Sequence, residues 1–181
     1  LSQVSPKDVT VQALILFFVE LCALRRTPQD LPASEILLAV VAVASLVVGL
    51  MIGLVADLSI GASLAQTLAE MALTLAVLFV ALRLMRLGAR FTQSATALLG
   101  SGVVIGAIAL IPLSFNPTGS EETDLAAIGA LLLLVVFVWS VVVTGHILRH
   151  TFQISLGQGA AIAVAFKVGV VLLIGLAFGG A

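Results

Sequence analysis

Arg25-Arg26-Thr27-Pro28-Gln29-Asp30-Leu31-Pro32 separates two apolar runs, and its reading decides the fold of the chain. Charges and a proline-interrupted backbone are costly in hydrocarbon, where no water satisfies them. The stretch therefore marks a membrane surface. Pro28 and Pro32 keep it from continuing as helix, and Ser34 followed by Glu35 restarts a helix at the head of the next apolar run. Short loops with excess Lys and Arg collect on the cytoplasmic side, so the paired arginines orient everything that follows.

Toward the C-terminus the pattern predicts five membrane spans, over residues 35–56, 63–82, 94–113, 125–145 and 156–178. Asp57 to Gly61 forms a short turn after the first. Arg83, Arg86 and Arg90 follow the second. Pro112 and the run Asn116-Pro117-Thr118-Gly119-Ser120, strong turn formers, end the third, and an acidic loop with Glu121, Glu122 and Asp124 leads into the fourth. With this alternation Arg25, Arg26, Arg83, Arg86, Arg90 and Arg149 all fall on one side, and the opposite loops carry no Lys or Arg. The expected topology places the arginines in the cytoplasm and the C-terminus outside, with a charge split like that of bacterial inner-membrane proteins.

Toward the N-terminus, Ser5-Pro6-Lys7-Asp8 reads as a helix start, with Ser5 as cap and Pro6 at the first helical position. The helix is expected over residues 5–24. Its apolar part is shorter than the ~20 residues of a spanning helix and contains Gln12 and Glu20, which favours a helix lying in or dipping into the interface. A short true span is the alternative. No small-x-small cleavage site follows the run, so it does not read as a signal peptide.

Composition agrees with one all-α, polytopic transmembrane bundle: 61% of the 181 residues are hydrophobic and 9% charged, against roughly 25% charged in soluble domains, and the mean hydropathy is +1.29. Eight Lys and Arg nearly balance nine Asp and Glu, so no basic footprint for nucleic acid exists. The lone Cys22 excludes an intramolecular disulfide and a cysteine metal cluster. It reads as a buried small hydrophobe.

Three sets of residues are candidates for function. Lys167 lies near the middle of the fifth span, where an ammonium costs at least ~2.5 to 3.5 kcal/mol and needs a partner or water. Glu70 is its expected partner: helical pitch places it roughly 19 Å from the arginine side and Lys167 roughly 17 Å from it. Such a pair serves a transport path or fixes helix packing. His146 and His150, four apart, share a helical face with a spacing suited to metal; Asp30 and Glu35 are the carboxylates available on that side, and interfacial histidines beside Arg149 are the plainer reading. Glycines four apart, Gly49 and Gly53, Gly102 and Gly106, Gly175 and Gly179, allow close helix approach, within the bundle or toward another copy or another membrane protein. Ser140, Thr144 and Thr74 read as interhelical or back-bonded hydroxyls rather than pore lining.

Glu121-Glu122 is similar to the paired glutamates of CAAX-type intramembrane proteases, but Leu125 stands where that pattern has arginine. No phosphate loop, nucleophile elbow or HExxH motif occurs, and no cofactor is implied. An N-terminal segment, an Asp30-Leu31-Pro32 elbow and five closely spaced spans together resemble the Yip1-like group of small polytopic membrane proteins. That group's Asp-Leu-Tyr-Gly-Pro element is matched without its Tyr-Gly. The resemblance implies the five-helix architecture and a role in membrane organisation or assembly, and carries over no functional residue. Three classes of function follow: assembly or regulation of a membrane partner, with lipid as the surrounding medium; transport through Lys167 and Glu70; and a membrane enzyme built on the histidine side.

Overall fold

The computed structural model describes residues 11–116 and 123–178. The helix start at Ser5 to Asp8, the Glu121-Glu122 pair and Gly179 lie outside the described residues. Six helices follow one another: α1 (Val11–Cys22), α2 (Glu35–Val55), α3 (Ile60–Leu84), α4 (Phe91–Leu113), α5 (Asp124–Phe152) and α6 (Leu156–Phe178). The last five are long and apolar enough to cross a membrane, and the chain is an integral membrane protein.

Local chemistry sets the helix ends. The side chains of Ser34, Ser59 and Thr123 accept the backbone N–H of Leu37, Ala62 and Ala126 and so cap α2, α3 and α5. At the C-terminal ends, Leu24, Asp57, Arg86 and Gln153 adopt left-handed φ angles between 58° and 62°. The following N–H in each case reaches back five residues, as in Arg25 to Glu20 and Leu87 to Leu82. This closure satisfies carbonyls that a helix end leaves open. Three helices outrun their expected bounds, α4 by starting at Phe91. α3 extends through Arg83, whose long side chain reaches water from the last turn. α5 continues past Gly145 to Phe152 because His146, Ile147, Leu148 and Thr151 are buried against the elbow and neighbouring helices rather than released into a loop.

α4 is the axis of the bundle. Its N-terminal half reads Ser94-Ala95-Thr96-Ala97, then Gly100-Ser101, all buried. These small side chains let α2 and α5 lie close on either side. α2 and α4 run in the same direction and form the most extensive contact; α6 packs on α5, α3 on α2, and α3 and α6 touch lightly to close the circuit.

α1 lies against α4 rather than apart from the bundle. Phe18, Leu21 and Cys22 are buried in one cluster with Val41 of α2, Ala97 and Leu99 of α4, and Val143 and Ile147 of α5. The Phe18 ring occupies the notch left by Gly100. Ile15, Leu16 and Val19, on the opposite side, stay exposed.

Candidate functional site

The charged and histidine residues singled out as site candidates by the sequence fall into two places: the elbow, and the seam between α3 and α6. At the elbow, Pro28–Asp30 form a single 3₁₀ turn that fills the space between the start of α4 and the end of α5. Four carbonyls there receive a side-chain donor. The Trp139 indole N–H donates to the Cys22 carbonyl at 3.0 Å, Gln93 to Leu31 at 2.7 Å, Gln29 to His150 at 2.8 Å, and Arg90 to Thr151 at 2.9 Å. Ser94 and Thr151 share a buried hydroxyl bond of 3.0 Å. Between Pro28, Gln29, Arg90, Gln93, Ser94 and Thr151 no room remains even for a water molecule.

The histidines belong to this clamp. His146 Nε2 lies 2.9 Å from the Arg26 carbonyl; a carbonyl only accepts, so Nε2 carries the hydrogen and is not free to bind metal. The His150 ring packs edge-on against it, with centroids 4.6 Å apart, and Asp30 is within electrostatic reach of His150. Glu35 stays exposed in the first turn of α2 and makes no hydrogen bond or ion pair with the other three among the described residues. No three His, Cys, Asp or Glu side chains among the described residues converge to hold a metal. Among the described residues the four candidates are thus not gathered into one ligand set. What the cluster does chemically is tie the elbow to α5.

Asp30 stiffens the turn itself. The Thr27 backbone N–H, at 2.8 Å, and the Thr27 hydroxyl, at 3.1 Å, both donate to its Oδ2. The backbone bond, followed by the hydroxyl and the Arg26 charge, holds the carboxyl below its ordinary range. A value lowered in the folded state stabilises fully above the unfolded value near ~3.9 and is lost as the pH falls through the folded value. Asp30→Ala is expected to cost no more than ~0.5 kcal/mol at neutral pH, because water screens the exposed carboxylate, a difference that shrinks well below pH ~3.9 in thermal unfolding of the detergent-solubilised protein.

Glu70 and Lys167 do reach the same seam. Glu70 is exposed on α3, Lys167 is half-buried on α6, and Glu70 is the charge that acts on Lys167. The two do not form a direct ion pair: among the described residues the one salt bridge joins Arg26 to Glu20, at 2.8 Å. Thr74 and Ser140 bond back to the carbonyls of Glu70 and Phe137 within their own helices.

The glycine pairs divide. A Cβ on Gly49 or Gly53 would strike Thr67 or Ser63, so this pair seats α3 on α2; Gly106 faces Val48 and Ile52. Gly102 and Gly175 have open space beside them. The tightest approach to backbone lies at a pair the four-residue rule passes over: a Cβ on Gly159 would meet the Gly145 carbonyl and the Arg149 backbone, and one on Gly145 the backbone of Ala160. Gly145 and Gly159 belong to different helices, so no spacing within one helix reveals them. No protein-family model, curated protein or solved structure matches the chain.

Proposed function

We propose that this chain is a non-catalytic subunit of a membrane assembly, in which a helix of another subunit covers the α3–α6 seam. Glu70 carries this reading. Its carboxylate stands exposed partway along a membrane-spanning helix without a hydrogen bond or ion pair among the described residues, and a carboxylate facing lipid there is rare and costly. A helix that supplies a donor to Glu70, and an acceptor to Lys167 beside it, removes that cost. Gly169 and Gly175 of α6 have no neighbour that a Cβ would touch, so a partner backbone can approach closely.

In this reading the arginine end faces the cytoplasm by the positive-inside rule and α6 ends outside, in a bacterial inner membrane. Assembly of membrane partners is also the role that the Yip1-like resemblance implies. The test is the size of the particle extracted in native lipid, with and without Glu70→Gln and Lys167→Met. The native chain is expected to run as an oligomer or hetero-complex, and each substitution to weaken it about tenfold or more, the equivalent of one lost ~1.4 kcal/mol contact. A monomer in native lipid that is indifferent to both substitutions overturns the proposal.

One observation favours a second reading, a charge-coupled carrier. α3 and α6 are lightly packed and bring an acid and a base to the same seam. Proton or ion flux in proteoliposomes that disappears in Glu70→Gln would select it over assembly.

A further inference from the structure

A cleft of about 480 Å³ opens where α3 turns into α4, lined by Phe79, Arg83, Arg86, Gly88, Phe91 and Thr92. Its walls are of two kinds. Phe79 and Phe91 meet edge-to-face with centroids 5.6 Å apart and make an apolar floor. The Arg83 guanidinium stacks over the Phe79 ring, 5.0 Å from its centroid, which orders the side chain while leaving N–H groups at its edge to donate. Arg86, in the left-handed turn that ends α3, lines the same cleft.

Neither arginine is neutralised among the described residues. Arg26 has Glu20 and Arg90 has the carbonyls of α5, whereas Arg83 and Arg86 form no ion pair among the described residues. Two arginines and a threonine lining a cleft with an aromatic floor match a phosphate. The location decides which phosphate. The cleft lies at the end of a membrane-spanning helix, and Ala76, Phe79 and Val80 continue from it along an exposed face of α3. A phosphate held at the arginines would thus have its acyl chains directed along that face.

We propose that this cleft binds the headgroup of an anionic phospholipid, with the lipid phosphate between Arg83 and Arg86. Basic pockets at helix ends take such headgroups, and the aromatic floor separates this site from a merely basic loop.

The test uses the full chain in phosphatidylcholine nanodiscs doped with phosphatidylglycerol, with retained lipid counted by native mass spectrometry. The native protein is expected to retain phosphatidylglycerol, and Arg83→Gln with Arg86→Gln to weaken this at least about tenfold. Arg25→Gln with Arg149→Gln, which removes the same charge elsewhere on that end, should leave it unchanged. Arg86→Gly guards against misfolding, because glycine takes the left-handed turn without strain; it should weaken lipid retention while the protein unfolds at the same or a higher temperature. Equal loss in both double variants, or equal retention of phosphatidylcholine, overturns the site. Displacement of the lipid by millimolar inorganic phosphate overturns the lipid assignment and leaves a free phosphate as the ligand.

Discussion

Gly159→Val is expected to unseat α6 and to be the most damaging single substitution in the bundle. The added carbons would meet the Gly145 carbonyl and the Arg149 backbone, not the tip of a movable side chain. Backbone cannot rotate away, so the helices must separate along their whole contact. Overpacking in ordinary cores costs ~1 to 3 kcal/mol; a backbone collision in a membrane should reach or exceed the top of that range. Lipid supplies no hydrophobic force to press the helices together again, since association there rests on close packing itself. The measurement is thermal or denaturant unfolding of the solubilised protein, with Gly157→Val as control. Gly157 has no neighbour within reach of a Cβ, so the control should unfold as the native chain does. Similar loss in both would mean that helix propensity, not helix approach, sets the effect.

Gly100→Leu is expected to expel α1 from its seat. Phe18 is 7% exposed and its ring fills the space above Gly100, so a leucine there displaces the ring and with it Leu21 and Cys22. Two native residues report the event. Trp139, the chain's single tryptophan, loses its bond to the Cys22 carbonyl, and its emission should shift. Cys22, the single cysteine and 1% exposed, should become reactive to a maleimide. Combining Gly100→Leu with Phe18→Ala returns much of the lost volume and should restore protection of Cys22, with a coupling of ~0.5 to 3 kcal/mol between neighbours. Unaltered Cys22 reactivity in Gly100→Leu would show that α1 does not depend on this notch.

The elbow was legible from its residues because charge and proline exclude hydrocarbon whatever surrounds them. The same one-body argument located five apolar helices and collected the arginines at one end. It failed where the outcome depended on a neighbour. His146 and His150 have a metal-like spacing, yet Nε2 of His146 is committed to the Arg26 carbonyl, a contact between residues 120 positions apart. Glu70 and Lys167 were placed at matching depth by helical rise alone, which fixes height along a helix but not the rotation that decides whether two side chains touch.

What the sequence by itself determined is therefore the solvent and the scaffold: a membrane protein of five long apolar helices, broken by an arginine- and proline-bearing elbow. Apolarity and backbone satisfaction are properties of single segments, so no partner is needed to read them. Tertiary structure alone decided that α1 is seated on α4 and that the elbow is clamped shut by side chains from α4 and α5. It alone decided that Gly145 and Gly159 hold α6 on α5, and that Arg83 and Arg86 line one cleft with Phe79 and Phe91. Each of these depends on which faces of two helices meet, and that choice is made by packing between segments distant in the chain.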